Sequence, residues 1–182
     1  MTQDLVVLLD DAGRPTGHAP RDTVHDAHTP LHLAFSCYVL DDEGRVLMTR
    51  RALGKRTWAG VWTNSFCGHP RPGERPADAV RRRAHDELGL TLGELTLLLP
   101  QFRYRAVDAS GIVENELCPV WFATAASPLR PSPDEVMDHA WVDVTDLGRA
   151  MASTPWAFSP WSVLQVTELA GLISAVPRRE AG

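Results

Sequence analysis

Cys67-Gly68-His69-Pro70-Arg71-Pro72-Gly73-Glu74-Arg75-Pro76-Ala77-Asp78-Ala79-Val80-Arg81-Arg82-Arg83-Ala84-His85-Asp86-Glu87-Leu88-Gly89 reads as a loop running into a helix. Pro76 suits a first helical position, where its missing N–H costs nothing. Val80, Ala84 and Leu88 recur four apart on one face, and Gly89 stands just past the end, which predicts a helix over 76–88. A thiol (Cys67) and an imidazole (His69) therefore sit at the mouth of a helix that carries carboxylates. Glu87 follows Arg83 by four, so an intrahelical ion pair is one reading of both.

Upstream, Leu5 to Leu9, the turn Asp10-Asp11-Ala12-Gly13 and Pro15 to Ala19 predict a starting hairpin. Leu31 to Leu40 alternates as a strand, Asp41-Asp42-Glu43-Gly44 turns, and Arg45 to Arg50 returns as its partner. Downstream, 95–106 and 112–123 flank the five-residue loop Val107-Asp108-Ala109-Ser110-Gly111. With Ala106 opposite Ile112, Tyr104 lies opposite Glu114 and shares a face with Glu116 and Cys118. A strand at Ala140 to Val142, a short helix at Val144 to Met151 and a last helix starting at Ser159-Pro160 complete the pattern, with Trp161 in that helix's first turn.

The 182 residues, 44% hydrophobic and without a composition break, predict one domain over 1–182, with a core at about 30–170 and a flexible tail at 176–182. A net charge of -5 argues against a nucleic-acid partner, because phosphate-backbone affinity needs clustered Lys and Arg. Leu5 to Leu9 is too short for a membrane span, which predicts no membrane partner and a cytoplasmic protein. Three cysteines (Cys37, Cys67, Cys118) suit a reducing compartment better than a disulfide framework. Lys55 is the single lysine among 18 basic residues, and a compact ammonium held on a phosphate is one reason to retain it.

In an extended Cys67-Gly68-His69 the outer side chains point the same way, and the same holds for Glu114 and Glu116 in Glu114-Asn115-Glu116. Two such pairs on facing strands, joined by His25 and His32, make a candidate metal site. Imidazole with carboxylate suits Zn, Mn or Fe better than Ca. Each residue also has a plainer reading: Cys67 as a small buried hydrophobe, Trp161 as core, and Glu114 and Glu116 as a solvated strand face.

Taken together, Gly68, Glu74, Arg82 and Arg83-Ala84-His85-Asp86-Glu87-Leu88-Gly89-Leu90 resemble the Nudix box, a loop-helix-loop that binds metal-diphosphate. The fold this implies is α/β, a Nudix-type α/β/α sandwich with a mixed sheet, here with an N-terminal hairpin extension. One departure stands out. Where Nudix hydrolases usually carry Glu directly after the motif's Arg, this chain has Arg83. The flanks resemble one branch of the superfamily, type 1 isopentenyl-diphosphate delta-isomerase, from about residue 4 to residue 170. His25, Thr29-Pro30-Leu31-His32-Leu33-Ala34-Phe35-Ser36, Arg50-Arg51, Lys55, Trp58, Trp62-Thr63-Asn64, Cys67-Gly68-His69-Pro70, Phe102, Tyr104 and Glu114-Asn115-Glu116 carry that likeness in order.

The resemblance implies a metal site of His25, His32, His69, Glu114 and Glu116, holding one Mn2+, Zn2+ or Mg2+. It implies Glu87 as the acid that binds Mg2+ with the substrate diphosphate. It makes Cys67 and Glu116 the catalytic pair, Tyr104 their support and Trp161 the aromatic facing a carbocation. It places Arg51, Lys55, Arg83 and, least directly, Arg21 around the diphosphate. The implied partner is a small isoprenoid diphosphate acted on by a monomer or weak homodimer. The implied reaction moves a double bond: C4 of isopentenyl diphosphate is protonated, and the resulting tertiary cation loses a proton from C2. A thiol near pKa ~8.5 and a carboxyl near ~4.3 bracket neutral pH for those two transfers. The alternatives are a Nudix diphosphate hydrolase, which would need an acid where Arg83 stands, and a noncatalytic binding module.

Overall fold

The long apolar runs do not form long strands. In the computed structural model, which describes residues 4–175, the 31–40 run divides at Ala34 into β3 (His32–Leu33) and β4 (Phe35–Leu40). The 112–123 run divides likewise into β10 (Val113–Leu117) and β11 (Val120–Ala125). Pro119 sits at that second break, and a residue without N–H interrupts a ladder. Pro100 similarly separates β8 (Leu92–Leu99) from β9 (Arg103–Val107). The remaining strands are β1 (Leu5–Leu9), β2 (Pro15–Pro20), β5 (Val46–Arg51), β6 (Trp62–Thr63), β7 (Phe66–Gly68) and β12 (Val136–Val142). The expected tail at 176–182 lies outside the described residues.

Two sheets result, ordered β2-β1-β3-β10-β9 and β12-β5-β4-β11-β8, with β6 on β5 and β7 on β4. The β3–β10 and β4–β11 pairs are parallel, so those two runs cross together from one sheet to the other. The N-terminal hairpin is the edge of the first sheet, joined through Leu8 opposite His32. The expected partnership of β4 with β5 shrinks to Leu40 opposite Val46. Much of that edge of β4 is taken by β7, with Ser36 opposite Cys67 and Phe35 opposite Gly68.

Strand alternation builds the layers. Phe35, Cys37 and Val39 of β4 bury against Ala79, Val80, Ala84 and Leu88 of α1 (Pro76–Leu88). On the opposite face Tyr38 packs with Leu147 and Met151 of α2 (Val144–Ser153) and with Trp161 and Leu169 of α3 (Pro160–Ala175). Helices thus cover both faces of the second sheet, the expected α/β/α sandwich. At the end of α1, Gly89 takes φ 58, its N–H reaches the His85 carbonyl at 2.9 Å, and the Leu90 N–H reaches that of Ala84 at 3.1 Å. A Cβ there would in addition meet the Arg130 carbonyl oxygen at 2.8 Å, so glycine is the residue that fits.

The hairpin register corrects the sequence reading. Ala106 pairs with Glu114 and Tyr104 with Glu116, not Ala106 with Ile112. The loop closes one residue later at each end, through Asp108 N–H to the Ile112 carbonyl at 2.8 Å. A shift of two residues keeps every side chain on its face, so Tyr104 still shares a face with Glu116 but now stands directly opposite it.

Candidate active site

Backbone register alone lines up part of the site. His32 on β3 and Tyr104 on β9 are each the cross-strand partner of Glu116 on β10. Side chains directly opposite on one face touch, and Tyr104 Oη donates to Glu116 Oε2 at 2.9 Å. Cys67 and His69 approach from β7 and the residue after it, and all but His32 line one cavity of about 570 Å3. His25, His69, Glu114, Arg21, Arg51, Lys55, Arg83, Glu87 and Trp161 line it too, so every residue proposed for the site borders this cavity or, like His32, touches one that does.

His25, His32, His69 and Glu116 bring one donor atom each within 4.8 Å of one another. His32 Nδ1 donates to the Pro30 carbonyl at 3.0 Å, which turns Nε2 toward the cluster. That nitrogen faces His69 Nε2 at 3.2 Å and Glu116 Oε1 at 3.5 Å, while His69 Nε2 lies 3.2 Å from the same oxygen. Burial lowers the His69 ring to about 4, keeping it neutral. Burial works against a charged His32, but Glu116, the Pro30 carbonyl and Glu114 together outweigh it and raise that ring. Burial alone would raise Glu116, yet the His32 and His69 imidazoles hold its carboxyl well below the usual range. Glu114 sits at the side of this group: its Oε1 accepts from Thr57 Oγ1 at 3.0 Å. Its Oε2 lies 3.2 Å from His25 Nε2, angled so that the buried nitrogen makes no hydrogen bond. Three imidazoles and the Glu116 carboxylate converging on one point, with the buried His25 Nε2 left unpartnered, fit a divalent cation.

Cys67 Sγ donates to Asn64 Oδ1 at 3.1 Å and lies 3.5 Å from Ser36 Oγ. Burial pushes the thiol up to about 11. Burial and the Glu116 charge likewise push the Tyr104 phenol well above its ordinary value, so both keep their protons at neutral pH. Trp161 is buried between Trp58, edge-on at 5.2 Å, and Tyr104 at 5.7 Å, and the Arg51 guanidinium carbon stands 5.6 Å from its ring centre. The indole therefore already presents a face to a cation. Trp58 adopts φ 46, rare for a bulky residue, and its N–H is tied to Asp108 Oδ2 at 2.9 Å.

Cations line the same cavity. The buried face of α1 carries Arg83 and Glu87 as an ion pair, which the four-residue spacing anticipated. Arg83 Nε is buried with no partner, a donor available to an anion. Lys55 pairs with Glu135, whose carboxylate also lies 3.5 Å from Arg83 Nη2. Burial lowers the Lys55 ammonium to about 8. Arg51 is held by two bonds to the Thr57 carbonyl, at 3.1 and 2.9 Å. Arg21 stands at the rim, paired with Asp4 at 3.0 Å. Gly68 has no room for a side chain, since a Cβ would lie 2.8 Å from Arg83 Cγ and 3.0 Å from Phe35 Cζ.

The motif pattern of this chain fits the same group of proteins that its sequence resembles. The NUDIX domain model matches residues 30–164. A Clavibacter sepedonicus protein named isopentenyl-diphosphate Delta-isomerase is 63% identical over 163 residues, covering 90% of this chain and 86% of the relative. The chain belongs to the Nudix family, on its isopentenyl-diphosphate Delta-isomerase branch. A Leifsonia xyli relative of the same name is 59% identical, with 90% of each chain covered. Among solved Nudix-like folds, a Deinococcus radiodurans structure superposes with a TM-score of 0.70 at 15% identity, covering 91% of this chain and 98% of that one. A Burkholderia pseudomallei MutT NUDIX hydrolase does so at 0.58 and 24% identity, with 75% and 96% covered. At such identities the likeness is one of fold.

Several supporting residues of this Nudix site had no role assigned by the sequence pattern. Arg56 donates to the carbonyls of Asp22, at 2.5 Å, and His25, at 3.4 Å, and so anchors the loop that bears His25. Asn115, on the opposite face from its glutamate neighbours, holds the same loop through the Thr29 carbonyl at 3.2 Å. Glu135 and Asp108 lie far along the chain from the groups they touch. No helix among the described residues is long and apolar enough to cross a membrane.

Proposed function

We propose that this protein, as one domain, converts isopentenyl diphosphate to dimethylallyl diphosphate through a tertiary carbocation. The observation that carries the proposal is one cavity lined by two chemically distinct sets of groups: Cys67, Tyr104, Glu116 and Trp161, and beside them the cations Arg51, Lys55 and Arg83. The names of the close relatives in Clavibacter and Leifsonia support it. Arg83 supports it too, placing a guanidinium where a Nudix hydrolase would usually carry an acid.

The diphosphate is the only strongly charged part of the substrate, so these cations anchor an otherwise featureless alkene. The buried and unpartnered Arg83 Nε gains an acceptor when an anion enters. With the substrate so held, the five-carbon end lies between the thiol of Cys67 and the Glu116–Tyr104 pair. One of Cys67 and Glu116 delivers a proton to C4 and the other removes one from C2. Tyr104 donates to the Glu116 oxygen throughout and holds that carboxyl in place. The Trp161 face stabilises the cation between the two transfers, a contact worth about 2 kcal/mol when desolvated. It also helps to exclude the water that would trap the cation as an alcohol. A Mn2+, Zn2+ or Mg2+ held by His25, His32, His69, Glu114 and Glu116 would act as a Lewis acid on Glu116, and Mg2+ at Glu87 would neutralise diphosphate charge. We place this activity in isoprenoid biosynthesis, in the cytoplasm, in a monomer or weak homodimer.

Incubation of the purified protein with isopentenyl diphosphate and Mg2+ tests the proposal. Dimethylallyl diphosphate without phosphate release is expected. Free phosphate would make the protein a hydrolase, and turnover of neither kind would make it a binding module.

A further inference from the structure

Asn64 sits in the turn between β6 and β7, fully buried and outside the cavity wall, yet it touches two residues that line the cavity. Its Oδ1 accepts from Cys67 Sγ at 3.1 Å and from Trp161 Nε1 at 3.0 Å. Thr63 Oγ1, itself 2.8 Å from Ser159 Oγ, also reaches Oδ1 at 2.9 Å. The amide nitrogen donates to the carbonyls of Phe66 at 2.6 Å and Cys37 at 3.2 Å. The orientation of the amide is thereby overdetermined. An indole N–H can only donate, so the atom facing it must be the oxygen, and the nitrogen's two carbonyl partners require the same orientation.

We propose that Asn64 is a positioning residue that fixes the thiol of Cys67 and the indole of Trp161 relative to one another through a single shared acceptor oxygen. The two groups come from elements far apart in sequence, β7 and α3, and no other described hydrogen bond links them to a common atom. The thiol has to meet one carbon of a flat intermediate while the indole face lies against the same intermediate, so an error in their spacing weakens both contacts at once. Reacting groups held in line for a near-attack geometry account for large rate factors, and sub-ångström misplacement is costly. Asn64 makes no hydrogen bond to Arg51, Lys55 or Arg83, so the effect belongs in kcat and not in binding.

This inference rests on the isomerase reading, and the wild-type assay separates the two: a wild-type protein that does not isomerise removes both, whereas the variants below bear on Asn64 alone. Asn64→Leu keeps the volume and removes the acceptor, and Asn64→Asp keeps an acceptor oxygen. Asn64→Leu should lose about 30-fold or more in kcat with KM changed by less than about threefold, and Asn64→Asp should recover a large part of that loss. In a Trp161→Phe background there is no indole N–H left to hold, so Asn64→Leu should cost at least about fivefold less than in the wild type. A residue that only packs the β6–β7 turn would cost the same in both backgrounds. The proposal is overturned if folded Asn64→Leu turns over within about fivefold of wild type, or if its cost is undiminished beside Trp161→Phe. Should Asn64→Leu fail to fold, the same cycle is run with Asn64→Asp and Asn64→Ser, where equal losses for both variants in both backgrounds overturn it.

Discussion

Lys55 should make substrate capture fail in mild alkali while leaving chemistry intact. Burial lowers its ammonium to about 8, and the nearby Arg51, Arg83 and Arg21 charges push the same way against the pull of Glu87. If only the ammonium grips the diphosphate, about nine in ten molecules are competent one unit below that value and about one in ten one unit above. Accordingly kcat/KM should fall about tenfold between about pH 7 and about pH 9. Complete loss of the contact bounds the effect at about 1.5–3 kcal/mol, or roughly 10–150-fold. Bound diphosphate favours the charged form, so the limb in kcat should appear at higher pH than the limb in kcat/KM. The assay is a pH profile of both parameters at saturating Mg2+, with Lys55→Arg as the control because a guanidinium stays charged throughout. The same depressed pKa acts on stability with a defined sign. Between about 8 and the ordinary value of 10.5 the unfolded chain binds more protons, so stability should rise with pH across that window. A limb near pH ~8 that survives unchanged in an active Lys55→Arg protein would refute the reasoning.

The other expectations are simpler to state. Protein purified without chelator should carry a divalent metal whose removal abolishes turnover; Glu114→Gln should weaken its binding by about 10–100-fold, and unaltered metal content and activity would remove Glu114 from the shell. Cys67→Ala should lose isomerisation while keeping its fold, whereas Cys118→Ala and Cys37→Ala, buried outside the cavity, should lose stability and little activity; near-normal turnover in Cys67→Ala would take the thiol out of the mechanism. Trp161→Phe should lose less kcat than Trp161→Leu, since phenyl keeps a weaker π face and also forfeits the bond to Asn64, while leucine keeps only bulk. Equal activity of the two at matched stability, or a change confined to KM, would leave Trp161 a wall against water.

Local rules carried much of this protein into view. The Pro76-to-Gly89 helix follows from capping and spacing, which act within one turn, and the alternation of Glu114 with Glu116 and of Cys67 with His69 follows from strand geometry. Arg83 and Glu87 pair as their spacing requires. Strand lengths and register were less accessible, because a strand's partner is chosen by distant residues. The sequence could not show that the 31–40 and 112–123 runs break together and pass between two sheets, or that the hairpin loop starts one residue later. Side-chain parity survives a two-residue slip, which is why Tyr104 was on the correct face opposite the wrong glutamate. Only the tertiary structure could bring Glu135 to Lys55, Arg56 to the His25 loop, and Asn64 between Cys67 and Trp161. Those contacts join elements that no local periodicity relates, and they arise because closing the sandwich leaves buried polar groups that must find one another in the absence of water.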